Sequence, residues 1–139
     1  MSTLIGAINA SASALDAQRA RMEVAVSNMA NAESTRGADG QPYRRRAVVL
    51  ETRDGNTMSG QIEAAGVKVA DVVEDQAPFR TRYEPSHPDA DENGFVKVPN
   101  VDVPEEMVDM LGAARAYQAN LTAIGLIRDT VQRALELAK

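Results

Sequence analysis

Residues 3–32 read TLIGAINASASALDAQRARMEVAVSNMANA, with no proline and no glycine after Gly6. Apolar or small side chains recur at Ile5, Ile8, Ala12, Leu15, Met22, Val26 and Met29, three or four positions apart, and only Arg19 interrupts them. That spacing predicts one stripe along a helix, and its mean period of about 3.5 is that of a coiled-coil seam. The other end of the chain repeats the pattern. Past Pro104, which suits a first helical turn, come Met107, Met110, Ala114, Tyr117, Leu121, Ile124, Val131, Leu135 and Ala138, with Arg128 as the one break. Glu105 and Glu106 sit where the helix dipole favours negative charge, and Arg133 and Lys139 where it favours positive charge. A helix of about 30 residues is about 45 Å long, so two of them outrun the width of a domain this small.

Between the two helices the composition changes. Six of the nine glycines and five of the six prolines fall between Glu33 and Val103. They separate short β-like runs at Tyr43–Glu51, Gly66–Glu74, Phe79–Tyr83 and Phe95–Val98, with alternation clearest at Val67, Val69 and Val72 and at Phe79, Thr81 and Tyr83. Residues 54–61, DGNTMSGQ, read as a flexible loop. The expected fold is mainly α with a small β module: an N-terminal helix in 1–35, a short-stranded module in 36–103 and a C-terminal helix in 104–139.

Composition narrows the function. The 139 residues hold no Cys, no Trp, one His, three Tyr and two Phe, and carry a formal charge of -5. Such a length allows one domain or two small subdomains. Without Cys there is no disulfide scaffold, thiolate metal site or thiol nucleophile, and one His leaves no imidazole pair for a metal. The acidic balance argues against nucleic acid as a partner. No apolar run reaches the ~18 residues of a membrane span, so no direct membrane insertion is expected. The first fifteen residues lack a basic n-region and a continuous apolar stretch, and are not expected to be a signal peptide.

Several clusters could carry chemistry. Asp89, Asp91, Asn93 and Gly94 match the first half of a calcium loop, but Asn100 stands where the closing bidentate Glu belongs, after Pro99, so an acidic turn is the better reading. His87, between Ser86 and Pro88, is expected to be a turn histidine bonded to a neighbouring carboxylate rather than part of a triad. Glu105, Glu106 and Asp109 fit a dipole-complementing first turn better than an acid/base pair. The cluster Tyr43-Arg44-Arg45-Arg46 reads as a solvated strand, or as a contact with an acidic surface such as the 84–109 stretch of another copy. Asn28, Asn31, Ser34 and Thr35 have the composition of a helix end. No enzyme, cofactor or metal is expected from these residues.

Residues 26–32, VSNMANA, resemble the N-terminal signature of the bacterial flagellar axial proteins, with Asn28, Ala30 and Asn31 carrying the match. Residues 83–91, YEPSHPDAD, then Gly94 and 99–102, PNVD, resemble the proximal-rod branch of the flagellar basal-body rod family through His87, Pro88, Asp89, Asp91, Pro99, Asn100 and Asp102. Residues 106–110, EMVDM, and 115–124, RAYQANLTAI, are similar to that family's C-terminal helix, and 43–45, YRR, also fits. The resemblance spans nearly the whole chain and is loosest at 54–66.

It implies a structural subunit of the proximal rod. The terminal helices would pair as an antiparallel coiled coil lining the inner tube, with the middle module outside. Assembly would be helical, forming the drive shaft that crosses the periplasm and encloses the export channel. Export would use the flagellar type III apparatus, with no cleaved signal peptide. Partners would be other copies, other rod subunits, and the adaptor that joins the rod to the export gate and membrane ring. The residues expected at the helix seam or subunit interface are Ile5, Ile8, Leu15, Met22, Val26, Met29, Met107, Met110, Tyr117, Leu121, Ile124, Val131 and Leu135. Narrow stripes cannot bury all of Leu4, Ile5, Ile8, Leu111 and Ile127, so apolar surface should be left for neighbours. With coincident ends, Arg19 would fall near Tyr117, and would either cover its ring or reach outward into the wet lumen or toward a neighbour. The alternative from another class is a soluble coiled-coil module with a regulatory or ligand-binding role, forming a stable monomer or closed dimer.

Overall fold

The computed structural model describes residues 2–53 and 66–137. The expected loop at 54–61, Ala138 and Lys139 lie outside the described residues. Helix α1 spans Ser2–Ala30 and α2 spans Val103–Leu137; between them come strands β1 (Arg46–Arg53), β2 (Gly66–Glu74), β3 (Arg80–Tyr83) and β4 (Phe95–Val98). The expected bounds of β2 and β4 match those observed, while β1 and β3 each begin later than expected.

The helices pack against each other. They run antiparallel: Asn28, near the end of α1, bonds Glu106, and Arg21, two turns earlier, meets Asp109 at 3.5 Å. On α2 the covered face is Glu106, Met110, Ala113, Tyr117, Asn120, Ile124, Ile127 and Val131, all buried or half-buried at alternating spacings of four and three. Met110, Tyr117, Ile124 and Val131 therefore stand where the periodicity predicts. Three expected positions shift by one: Met107 gives way to Glu106, Ala114 to Ala113 and Leu121 to Asn120. The real stripe contains two polar side chains, which a search for apolar residues steps over.

The α1 stripe needs a larger correction. Its buried residues are Gly6, Ser13, Ala17, Ala25 and Asn28. Ile8, Leu15, Met22 and Met29 are half-buried at the flanks, while Ile5 and Val26 are 60% and 51% exposed. The outward row, Ile5, Asn9, Ala12, Asp16, Arg19, Glu23, Val26 and Ala30, keeps a heptad spacing. The reason is that α1 is covered twice, by α2 and by the β1–β2 ribbon. Small residues occupy the contact because they let backbones approach closely; the larger side chains are displaced to its edges.

Strands β1 and β2 form an antiparallel ribbon running from Arg46↔Glu74 to Arg53↔Gly66. Val49 pairs with Asp71 and Leu50 with Val69, so Ala70 is the extra residue of a bulge on β2. Gly66 lies against α1, where an added Cβ would come within 2.6 Å of Ser13 Oγ. That hydroxyl accepts the Val67 amide at 3.0 Å and donates to the Ala10 carbonyl at 2.8 Å, fastening ribbon to helix.

Strands β3 and β4 make a second, separate ribbon from Arg80↔Val98 to Tyr83↔Phe95, so the module contains two hairpins rather than one sheet. Val96 and Val98 of β4 point inward, joined in the core by Pro99 and Val101. The ribbon's turn closes on Gly94, whose φ of +82° an L side chain rarely adopts. Across this end Tyr83 and Phe95 meet edge to face, 5.3 Å between centroids.

Candidate functional site at the junction of the helices

Among the described residues, a dense set of hydrogen bonds joins the end of α1 to the start of α2. Asn28 is fully buried and all four of its hydrogen-bonding valences are used. Its amide nitrogen donates to the Arg46 carbonyl at 2.8 Å and to Glu106 Oε2 at 2.9 Å. Its amide oxygen accepts the Arg46 N–H at 2.9 Å and the Tyr43 hydroxyl at 3.0 Å. One side chain therefore ties α1 to the chain entering β1 and to α2. Asn28 thus does more than end a helix.

Glu106 is equally deep, 2% exposed, and its second carboxylate oxygen accepts a short bond from Arg45 Nε. It is therefore a first-turn acid, as expected, that is also buried as one member of an internal ion pair. Burial alone would lower the Arg45 pKa; the bond to Glu106 and the charges of Glu106, Glu105 and Asp109 outweigh this and hold it above the ordinary guanidinium value. Asp75 at 4.0 Å and Asp109 at 3.8 Å complete the surroundings of Arg45. The basic cluster does meet acids, but within its own chain. Arg44 lies over the Phe79 ring at 4.3 Å and Arg46 over Tyr43 at 5.6 Å.

Asn100 bridges the same strand entry to the next turn: its oxygen accepts the Arg45 amide at 2.9 Å and its nitrogen reaches the Asp75 carbonyl at 3.3 Å. Pro99 beside it is fully buried. Asp102 caps α2 by accepting the Glu105 amide at 3.4 Å, and it pairs with Arg80 at 2.9 Å. The Arg80 bond first, then the Glu105 amide, hold its carboxyl below the usual range. Asn31 ends α1, bonding the Ser27 carbonyl at 2.9 Å; Ala30 is exposed there.

The remaining motif residues build the β3–β4 turn. Asp91 Oδ1 accepts the amides of Asn93 and Phe95, both at 2.9 Å, so its carboxylate organises an acidic turn. Asp89 accepts Thr35 Oγ1 at 2.9 Å and pairs with Arg36 at 3.3 Å, which binds the turn to the segment after α1. His87 Nδ1 accepts the Asp89 backbone N–H at 3.1 Å: the partner is an amide and not the expected carboxylate. Pro88 is exposed. Arg82 adds ion pairs to Glu33 and Glu84, both at 2.8 Å.

Of the residues expected at the seam, Ile5, Val26, Met107, Leu121 and Leu135 are exposed, Leu135 to 55%, so the helix pair leaves them uncovered. Arg19 bonds Glu23 at 2.9 Å on the outer row and makes no contact with Tyr117. Sequence reading named Arg45 and Glu106, one in the basic cluster and the other in the first-turn acids, but missed that they pair with each other inside the chain; the signal was a polar residue in phase with Met110 and Ala113. Among the described residues, no buried side-chain polar atom lacks a partner, and no group of three or more His, Asp or Glu is placed to share a metal ion. The junction holds elements together.

Comparison with known proteins agrees in direction. Residues 92–137 match the family described as flagellar basal body rod FlgEFG protein C-terminal. The flagellar basal-body rod protein FlgC of Salmonella typhimurium is 46% identical over 136 residues, 98% of each chain. FlgC of Bacillus subtilis is 42% identical over 149 aligned positions, 99% of each chain, and that of Aquifex aeolicus 37% over 139, 100% of each. This chain therefore belongs to the family of flagellar basal-body rod proteins of the FlgC type.

Proposed function

We propose that the chain is a structural subunit of the flagellar basal-body rod, built into the proximal rod by helical assembly with further copies and with other rod subunits. One observation carries this reading beyond family membership: the apolar surface left outside the helix pair. Val26 on α1 and Val108, Leu111, Leu121 and Leu126 on α2 are 42–69% exposed, set along helices of 29 and 35 residues. Long rows of uncovered apolar side chains are expected where neighbours complete the burial. The outward-facing Ile5, Val26, Met107, Leu121 and Leu135 are assigned to subunit contacts, the half-buried remainder to the helix seam. In this reading the helices form the axial core around the export channel, the 36–103 module stands outside it, and torque passes through the side-to-side contacts. Export through the flagellar type III apparatus without a cleaved signal peptide, and contact with the adaptor at the export gate and membrane ring, belong to the same proposal. The regulatory-module alternative is not favoured by the family.

Leu121→Asp tests it. At 42% exposure the change costs the free chain little, whereas a carboxylate buried at a subunit contact costs several kcal/mol. Cells producing the variant should make the chain with normal circular dichroism yet build no rods and fail to swim. Normal swimming would remove Leu121 from the contacts; absence of the native chain from purified basal bodies would end the rod reading.

A further inference from the structure

Asn93 is the only asparagine of the chain followed by glycine, and it stands in the acidic turn that closes the β3–β4 ribbon. Asparagine is a chemically labile side chain, and a following glycine makes it most so. With no Cβ to hinder it, the glycine nitrogen can reach back to the amide carbon of the preceding side chain. The two residues are unequally placed. Asn93 is exposed, whereas Gly94 is buried, and an added Cβ there would stand 3.0 Å from Tyr83 and 3.1 Å from Pro85. The electrophile is in water and the nucleophile is not.

Gly94 is also tied on both sides. Its N–H donates to the Asp91 carbonyl at 2.9 Å, and its own carbonyl accepts the Glu84 N–H at 2.9 Å. Asp91 closes the frame around it. One carboxylate oxygen accepts the N–H groups of Asn93 and Phe95, both at 2.9 Å, and the Asp91 N–H donates to the Phe95 carbonyl at 2.9 Å. For attack, the Gly94 nitrogen must leave the Asp91 carbonyl, give up its proton and turn toward Asn93 Cγ. The bonds held by the Asp91 side chain, one before Gly94 and one after it, oppose that rotation.

We propose that Asn93 is a latent deamidation site, and that the amide bonds accepted by the Asp91 side chain keep it shut in the folded chain. When the turn opens, the Gly94 nitrogen bonds to Asn93 Cγ, the Cγ–Nδ2 bond breaks, and ammonia leaves with the proton that Gly94 gave up. Water then opens the cyclic imide at either of its carbonyls. One opening leaves an aspartyl side chain on an ordinary backbone; the other leaves an isoaspartyl link with an extra carbon in the main chain. Both add a negative charge beside Asp89, Asp91 and Glu92, and the second lengthens a turn already packed against Tyr83 and Pro85. A chain that lingers unfolded is marked at the end of this ribbon, and a folded one is spared.

The test incubates the full chain in mildly alkaline buffer, folded or in concentrated guanidinium. The tryptic peptide of residues 83–97, which holds no other asparagine, is followed by mass for conversion of amide to acid. Conversion should be about a hundredfold slower in the folded chain, as for a reaction that requires local opening. Asp91→Ala removes both side-chain bonds and should speed it at least about tenfold with native circular dichroism, while Asp91→Asn keeps an acceptor oxygen in place and should stay near the native rate. Equal rates in the folded and denatured chain overturn the closure. A folded Asp91→Ala chain that stays slow, or an Asp91→Asn chain as fast as Asp91→Ala, overturns the part given to the side-chain bonds. If Asp91→Ala does not fold, amide exchange in the native chain decides: Gly94 and Phe95 slowed at least tenfold uphold the frame, and exchange at the free-chain rate overturns it.

Discussion

Asn28→Ala should be among the most damaging single changes to this chain. The substitution removes four hydrogen bonds of 2.8–3.0 Å from a fully buried position. Three are to neutral groups and contribute about 1 kcal/mol each, while the bond to ionised Glu106 contributes about 2 kcal/mol. The gross loss is then about 5 kcal/mol. Part is recovered, because Tyr43 and Arg46 lie partly in water and Glu106 keeps Arg45, which leaves a net cost of about 3 kcal/mol. Against a typical stability of about 5–15 kcal/mol this is a large share, equivalent to a Tm about 10 °C lower. Urea unfolding followed by circular dichroism should show the midpoint falling with an unchanged slope. Asn28→Asp, of the same shape, should be worse than Ala, since it sets a second carboxylate against Glu106 and loses both amide donors. A loss below about 1 kcal/mol for Asn28→Ala would refute the reasoning: water would then be replacing the side chain, and the junction would be held by its apolar residues.

Asp102→Asn keeps a good cap but loses the ion pair with Arg80. The depressed carboxyl contributes stability fully present above the unfolded value, about pH 4, and lost as pH falls through the folded one; the gap between native and variant should hold steady above about pH 5 and close in stronger acid. Gly94→Ala should cost about 1–3 kcal/mol, because a Cβ there meets Tyr83 at 3.0 Å and Pro85 at 3.1 Å on a left-handed backbone, whereas Gly112→Ala, with nothing within 4 Å, should raise stability by about 1 kcal/mol; thermal melts of the pair check both signs. Gly66→Ala should destabilise by colliding with Ser13 Oγ, and Ser13→Ala should partly relieve it, so a double-mutant cycle should return a coupling of about 1 kcal/mol or more; strict additivity would mean that the ribbon simply moves away.

Element order and much of the strand map were readable before any coordinates, because glycine, proline and alternation mark β2 and β4 without help from the rest of the fold. The α2 face was readable at Met110, Tyr117, Ile124 and Val131, where apolar residues keep the period. It failed where Glu106 and Asn120 replace them, since a pattern of hydrophobicity has no symbol for an acid whose partner is an arginine 61 residues away. The α1 face failed for a different reason. A helix covered on two sides is touched closest through Gly6, Ser13, Ala17 and Ala25, and small residues carry almost no hydropathy signal. The family motifs pointed to Asn28, Asn100 and Asp102, yet their partners are mostly backbone groups, which side-chain identity does not reveal.

The bond from Asn28 to Glu106 spans 78 residues of chain. Helical proteins usually fold fast because their contacts are local, and this one departs from that rule at a fully buried point. During synthesis α1 emerges first, and Asn28 can meet Tyr43 and Arg46 soon after, but its bond to Glu106 must wait until the whole module and the first turn of α2 have followed. A chain arrested at Asp102 would hold both ribbons in full and still lack Glu106, the one member of the node that joins the two helices. Closure of the helix pair at this node therefore waits for the last helix.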